Sequence, residues 1–495
     1  MIQAWAARDV YAAESALLAE LPEGELMARA VAGLADVVAA RMTRLGARRV
    51  VALVGPGNNG ADALYAAASL ARQGFLCAAV HTDRVHMGAH ADAQAAGVVL
   101  DDDPATTAAT VADADVVLDG ILGIGGRGGL PAYALPWVAA IADDAYVVAV
   151  DTPSGQPVDG GSLDPEGVFA DETVTFSLLK PVHLLPPTEA VCGLLTVVDI
   201  GIVAAAPAQV CRLTTPDVSD TWPIPTAADD KYSRGVLGVI AGGERYPGAA
   251  VLTVTAAVEA GAGMVRYVGP STPSGLVRSA VPEAVHGAGR VQAWVVGPGV
   301  DPASTDPADR DHLRAAVAAL REDVPCLVDA GGLDLFADVV ARWGPRAAPT
   351  LLTPHAGECA RLLSRLTDSP VDRACVEADP LGHARALAAA SRAAVLLKGS
   401  TTLVVESAEG AVWSQADAPP WLATAGAGDV LAGLAGMLLA AGLAPGTAGA
   451  LAALVHGRAA DRANPGGPVR ALALAQCLGQ VVAAELSVGH VPGGA

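Results

Sequence analysis

The sequence predicts an α/β protein of two domains, each built on a parallel sheet wound on both faces. Three observations carry that expectation. Short apolar runs alternate with helical stretches along most of the chain, the pattern of successive strand–helix–strand units. A strand–glycine turn–helix unit recurs: Val50 to Val54 runs into Gly55-Pro-Gly-Asn-Asn-Gly60 and a helix, and Val236 to Ala241 runs into a turn from Gly242 to Gly248 and a helix. Between these units Pro207, Pro216, Pro223 and Pro225 cluster with Thr and Asp, which is linker composition. The expected domains are therefore 1–215 and 222–495. The second is not a copy of the first.

The elements follow in order. Leu26, Ala30, Leu34, Val37, Val38 and Met42 recur at helical spacing, with Gly46 as a C-cap. Val50 to Val54 suits a strand buried on both faces, and a helix is expected from Ala61 to Gln73. Further strands are expected at Leu76–Val80, Asp115–Leu118, Tyr146–Val150 and Val174–Phe176. In the second half a helix follows from Ala249 to Ala260. Strands are expected at Ala293–Val296, Cys326–Val328, Leu351–Leu352, Val395–Leu397 and Leu403–Val405, and a helix starts at Gly428 or Asp429.

Composition narrows the function. The 495 residues are 52% hydrophobic and 17% charged, enough to bury large cores, and with aromatics at 4% those cores must be Ala, Val and Leu. A net charge of -21 argues against nucleic acid and against an anionic membrane surface. The seven scattered cysteines read as reduced core thiols of a cytosolic protein. Arg8 and Asp9 break the apolar core that a secretory signal would need. Residues 430–455 carry no charge, but glycines and Pro445 interrupt them, so two short buried helices joined at Gly442–Gly446 are expected instead of a membrane span. A homo-oligomer is expected.

Rarity marks further positions. Only three of the 31 basic residues are lysine: Lys180, Lys231 and Lys398. A drift toward arginine should spare lysine where a compact ammonium is required. Asparagine is as scarce, and Asn58 and Asn59 stand side by side in a glycine loop.

Open α/β sheets bind ligands at the carboxyl ends of their strands. Three such ends in the first half are polar: Gly57 to Asp62, Asp119 to Gly129, and Asp151-Thr-Pro-Ser-Gly155. Glycines admit a phosphate to backbone amides, and a helix N-terminus favours an anion. An amide oxygen, a carboxylate and a hydroxyl together would form a hard oxygen site for a cation. Any one loop alone could be an ordinary turn with a capping Asp or Ser.

Gly57-Asn-Asn-Gly-Ala-Asp62, the Asp119-Gly-Ile-Leu-Gly loop, Val150-Asp-Thr-Pro-Ser-Gly155 and Thr175-Phe-Ser-Leu-Leu-Lys-Pro181 together resemble the NAD(P)H-hydrate epimerase family, the YjeF N-terminal domain, over about residues 10–205. The resemblance implies a Rossmann-like parallel sheet. It implies that Asn58, Asn59, Gly60, Ala61 and Asp62, with Gly123, Ile124, Gly125, Gly126, Arg127, Gly128 and Gly129, bind the hydrated dinucleotide. It puts potassium on Asn59, Asp119 and Ser154, and makes Asp151 the acid/base that exchanges the proton or hydroxyl at C6. Ala61 departs from the usual family glycine. It is expected at the first helical position, with negative φ, where its amide and that of Gly60 still face the phosphate.

In the second half, Trp421-Leu-Ala-Thr-Ala-Gly-Ala-Gly-Asp429 is the sharpest local signal. A glycine turn opening an apolar helix makes an anion hole for a transferring phosphoryl group, and Asp429 in the first turn can take a proton from an attacking hydroxyl. The plain alternative for Asp429 is a helix cap. His355 and Glu358 at i, i+3 are too few for a transition-metal site. These motifs, with Lys231-Tyr-Ser-Arg-Gly235, Pro247-Gly-Ala-Ala250, Gly297-Pro-Gly299 and Lys398-Gly399, resemble the ADP/ATP-dependent NAD(P)H-hydrate dehydratase family across almost all of 222–485. The resemblance implies a ribokinase-like α/β/α domain with Mg2+. It makes Asp429 the base, puts the nucleotide on Lys398, Gly399, Ser400, Thr401, Thr402 and Gly428, and puts the hydrate on Ala249, Gly299, His355 and Asp429. Asp329-Ala-Gly331 departs from the Asp-Ala-Asp of many members, and Gly297-Pro-Gly-Val-Asp301 lacks a later glycine.

The reading is a cytoplasmic bifunctional repair enzyme. It interconverts the R and S forms of hydrated NADH or NADPH and dehydrates the S form with ADP or ATP, which the sequence does not choose between. The alternative is a ribokinase-type alcohol kinase with a non-catalytic N-terminal ligand-binding domain.

Overall fold

A computed structural model describes residues 1–126 and 128–489. The chain divides into two compact units, one of Gln3–Val210 and one of Met1–Ile2 with the chain from Cys211 onward.

In the first unit the strand order is Val99–Asp101, Leu76–His81, Arg49–Val54, Val116–Gly120, Tyr146–Val150, Glu172–Phe176 and Leu194–Val198, and every neighbouring pair is parallel. Val50 to Val54 are all buried, as a strand covered on both faces requires. The helix Glu25–Leu45 buries Leu26, Ala30, Leu34, Val38 and Met42 and stops at Gly46, whose φ of 69° closes a left-handed cap. Arg49–Val54 has the next strand in sequence on one side and Val116–Gly120 on the other, so the chain order reverses beside it. Such a switch point opens a crevice at the strand ends.

The helix after this strand corrects an expectation. It spans Asn58–Arg72, so Ala61 is its fourth residue and not its first. The extended backbone of Gly57 makes that glycine the N-cap, and the Ala61 amide donates to Gly57 O at 3.1 Å. The unpaired amides of this terminus belong to Asn58, Asn59 and Gly60. Gly60 is required by space, because a Cβ there would lie 2.0 Å from Gly55 O.

The second sheet has the order Ile2–Ala4, Val210–Arg212, Val412–Gln415, Thr402–Val405, Ala394–Leu397, Thr350–Leu352, Cys326–Val328, Ala293–Val296, Val236–Ile240, Met264–Tyr267 and Val285–His286. Pairing is parallel from Ala394–Leu397 onward, but Ala394–Leu397, Thr402–Val405 and Val412–Gln415 are antiparallel neighbours. The link from Leu397 to Thr402 is too short for a crossover helix, so it must close a hairpin. Lys398 to Thr401 therefore sit in a hairpin turn, not at the start of a helix.

The linker expectation also changes. Thr215–Thr221 is a helix with Pro216 in its first turn and a capping box between Thr214 and Asp217. Val218 and Trp222 are buried in the second unit's core, and the Leu213 amide donates to Gln415 Oε1 at 2.7 Å. Ala427–Ala440 and Pro445–Ala463 are two buried helices, and among the described residues no helix is long and apolar enough to cross a membrane. All seven cysteines are free, but Cys375 is exposed and not a core thiol.

Candidate active sites

At the switch point of the first unit lies a cavity of about 410 Å³, within the range of small-molecule sites. Asn58, Asn59, Asp62, Asp151 and Gly123 to Gly126 line it, together with Tyr11 and Glu14 from the helix Ala7–Leu18. Gly60, Ala61, Gly128 and Gly129 are not among its lining residues. Ala61 is 1% exposed in the helix interior. Arg127 lies outside the described residues.

Asp151 follows the strand Tyr146–Val150 and holds a left-handed φ of 68°. That conformation is uncommon for a residue with a side chain and is kept only where surroundings enforce it. Lys180, 1% exposed, donates its ammonium to Asp151 Oδ1, and Thr175 Oγ1 donates to the same oxygen at 3.0 Å. His183 Nε2 lies 2.9 Å from Asp151 O, while its Nδ1 accepts from the Lys180 amide at 3.1 Å. Burial, then the Lys180 charge, pull the His183 pKa down to about 3. The ring is neutral, and its Nε2–H pins the strained backbone of Asp151.

Asp119 is fully buried at the end of Val116–Gly120. Its Oδ1 accepts from Ser154 Oγ at 2.6 Å and its Oδ2 from Ser154 N at 2.8 Å. Burial pushes its pKa up to about 6 against those hydrogen bonds. Asn59 Nδ2 donates to Leu122 O at 2.9 Å, which turns its oxygen toward Gly123. A buried carboxylate with neutral partners, beside a hydroxyl and an amide oxygen, fits a monovalent cation. Among the described residues no group of three or more His, Cys, Asp or Glu could hold a metal ion.

In the second unit Gly426 takes a left-handed φ of 89° and opens the helix Ala427–Ala440, with Asp429 in its first turn. Burial, then the charge of Asp329, raise the Asp429 pKa to about 7, and Lys398 works the other way. Lys398 Nζ lies 2.7 Å from Asp329 Oδ1 and 3.8 Å from Glu358 Oε2. Burial pulls its pKa down, but Asp329 and Glu358 outweigh this and raise it. A Cβ on Gly428 would stand 3.5 Å from Lys398 Nζ, so the ammonium faces the glycine turn. His456, buried, places Nε2 2.9 Å from Ala427 O, and burial pulls its pKa down to about 4. Its neutral ring anchors the turn.

Two pairs of neighbours involve the hydrate candidates. A Cβ on Gly299 would meet the Ala249 Cβ at 2.6 Å, so the two are in contact. His355 is bridged to Lys398 through the backbone. His355 and Glu358 form a helix capping box: His355 Nδ1 accepts from the Gly357 and Glu358 amides, and Glu358 Oε2 accepts from the His355 amide. That bonding accounts for the pair without a metal. In the hairpin turn Ser400 is exposed, and Thr401 is buried.

A family model described as YjeF-related protein N-terminus matches residues 23–182, and one described as NAD(P)H-hydrate dehydratase matches residues 237–476. The bifunctional NAD(P)H-hydrate repair enzyme Nnr of Mycobacterium leprae is 45% identical over 92% of this chain and 93% of its own length. The chain belongs to the bifunctional NAD(P)H-hydrate repair enzyme family. The protein of that name from Corynebacterium glutamicum is 34% identical, over 84% of this chain and 83% of its own length. An ADP/ATP-dependent NAD(P)H-hydrate dehydratase from Bacillus subtilis, co-crystallized with ATP/Mg2+, is 25% identical with a TM-score of 0.47, over 55% of this chain and 98% of that one.

Seen as a repair-family member, the chain holds site residues that its motifs did not reveal. Tyr11 and Glu14 come from a distant helix, and no local pattern points to them. Asp329 and Glu358 stand in motifs read from the sequence, but their approach to Lys398 depends on neighbouring strands. Lys180 and Lys398 were marked both by lysine scarcity and by the motifs that contain them, and each ammonium is paired with a carboxylate, Asp151 and Asp329 respectively. Scarcity misleads for Lys231, which is exposed with its ammonium 5.2 Å from the Tyr232 ring centroid.

Proposed function

We propose that this chain restores damaged nicotinamide cofactors in two steps, epimerising hydrated NADH or NADPH in 1–215 and dehydrating the S form in 222–495. The observation that carries the reading is the pairing of two unlike sites in one family member. One is a cavity with Asp151 and Lys180 at a switch point, and the other is a glycine turn presenting Asp429.

In the first site Asp151, with Oδ1 held by Lys180 and Thr175, keeps Oδ2 for the reacting centre. The amides of Asn58 and Asn59, which line the cavity at the helix terminus, receive the dinucleotide phosphate. Asn59, Asp119 and Ser154 would hold potassium, which would supply a positive charge against the buried carboxylate of Asp119.

In the second site the nucleotide, ADP or ATP with its Mg2+ on the phosphates, reaches Lys398 to Thr402 and Gly428. Ala249, Gly299 and His355 receive the hydrate. Asp429 takes the C6 hydroxyl proton as that oxygen bonds to the terminal phosphorus, whose bond to the bridging oxygen breaks and releases AMP from ADP or ADP from ATP. A C5 proton then leaves, the C5–C6 double bond forms, and phosphate departs with the C6 oxygen. The regenerated cofactor is NADH or NADPH. An alcohol kinase with a ligand-binding first half would leave Asp151, fixed by Lys180 and Thr175, without a chemical role.

The test is to mix purified chain with hydrated NADH and ADP or ATP, and follow reduced nicotinamide by absorbance. Nucleotide-dependent recovery of both epimers is expected. Phosphorylation of simple alcohols with no action on the hydrate would overturn the reading.

A further inference from the structure

Asp62 lines the cavity and is so far only one of the substrate-binding residues that the resemblance implies, yet its setting is unusual. It sits one residue beyond Ala61 on the helix Asn58–Arg72. Its Oδ1 is buried and has no hydrogen-bond partner among the described residues. Three neighbours share the cavity with it: Asp151 after the strand Tyr146–Val150, and Glu14 and Tyr11 on the helix Ala7–Leu18. The contrast with Asp151 is sharp, since Asp151 Oδ1 takes hydrogen bonds from Lys180 and Thr175.

We infer that Asp62 is a second catalytic residue of the epimerising site, a proton donor to the C6 hydroxyl that works opposite Asp151. The inference rests on the epimerase reading and deepens it. Burial, then the charges of Asp151 and Glu14, push the Asp62 pKa up to about 8, so the group carries a proton at neutral pH. Two carboxyl groups in one cavity, one held as an acceptor and one left as a donor, are the arrangement that separates acid from base.

The chemistry balances without a further reagent. C6 of the hydrate bears a hydroxyl and is bonded to the ring nitrogen. Asp62 gives its proton to the hydroxyl, the C6–O bond breaks, and water leaves. The ring nitrogen lone pair forms a C6=N iminium bond. Water then bonds to C6 on the opposite ring face and passes a proton to Asp151. The other epimer results, and proton exchange with solvent returns both carboxyls to their starting states. In the reverse direction the roles exchange.

The test uses the full chain, wild type, Asp62→Asn and Asp62→Glu, with epimer interconversion followed chromatographically across pH in water enriched in oxygen-18. Thermal unfolding of the first unit reports the folding of each variant, and dehydration of the S form, catalysed in the other unit, normalises for intact chain. Wild type is expected to incorporate label at C6 as it epimerises and to lose rate above about pH 8. Asp62→Asn keeps the shape of a protonated carboxyl but cannot give up a proton. It is expected to lose at least about a hundredfold in rate together with the alkaline decline. Asp62→Glu should recover part of both. A rate within a few-fold of wild type in Asp62→Asn, an unchanged alkaline decline, or unlabelled product would overturn the inference while leaving the epimerase reading intact. A wild-type chain that does not epimerise at all would sink that reading and this inference together.

Discussion

The ammonium of Lys398 lies 2.7 Å from Asp329 Oδ1 and faces the glycine turn that carries Asp429. Lysine therefore serves two surfaces, a carboxylate behind it and the turn in front. Lys398→Arg keeps the charge but brings a wider planar head into a space bounded by Asp329, Glu358 and Gly428. The nucleotide KM is expected to rise about tenfold or more, with 1.4 kcal/mol per decade. Steady-state kinetics against ADP and ATP check this, and an unchanged KM would remove Lys398 from the nucleotide site.

Asp429 is expected to be the base of dehydration. Asp429→Asn should cut that activity about 10²–10⁴-fold and leave epimerisation intact. The raised pKa of about 7 gives the sign of the pH dependence. A base works ionised, so the rate climbs with pH through about 7 and is about tenfold lower at pH 6 than at pH 8. Asp329 raises the Asp429 pKa, so Asp329→Asn should move the acid limb downward. Rates of S-form dehydration between these pH values decide the matter.

Lys180 and Asp151 form an ion pair with Lys180 almost fully enclosed. Removing one member of such a pair leaves a buried charge alone and costs about 3–5 kcal/mol. Lys180→Met should therefore lower the unfolding midpoint of the first unit and abolish epimerisation. Thermal unfolding alongside the epimerase assay checks both, and a variant as stable as wild type would show that the pair is not coupled to the fold.

By its resemblance to the dehydratase family, Gly331 falls at a position where an Asp is expected. A Cβ there would lie 2.0 Å from Val300 O, so this backbone admits only glycine unless it shifts. The preceding Ala330 already holds a φ of 47°. Gly331→Asp is expected to destabilise the second unit by more than the ~1 kcal/mol usual for single substitutions. Chemical unfolding tests this, and a neutral result would mean that the loop rearranges freely.

Ala61→Gly removes a methyl from a buried helical position and exchanges a good helix former for a poor one. The helix should lose about 1 kcal/mol. The epimerase rate should stay within about tenfold, because the Ala61 amide is spent on Gly57 O and the methyl does not line the cavity.

Much of the fold was legible because strands covered on both faces leave continuous apolar runs. Val50 to Val54 and Ala293–Val296 declare themselves without neighbours. What escaped depends on partners distant in sequence. Val412–Gln415 is a strand because it lies between Val210–Arg212, distant from it in sequence, and Thr402–Val405. The early start of the helix at Asn58 depends on the extended backbone of Gly57. Pro216 looked like linker because proline marks both loops and first helical turns. At the sites, glycine turns and strand-end carboxylates were readable one motif at a time. The contacts that tune them were not: His183 on Asp151, Asp329 on Lys398, and Glu14 beside Asp62 join residues from separate elements.

The central claim is that two distinct sites act in sequence on one substrate. The most direct measurement follows nucleotide-dependent recovery of reduced cofactor from each pure epimer, in wild type and in Asp151→Asn. Wild type is expected to recover both epimers, and Asp151→Asn to recover the S form at the wild-type rate while the R form persists. Equal loss of both epimers in Asp151→Asn, or rapid recovery of the R form by that variant, would contradict the account.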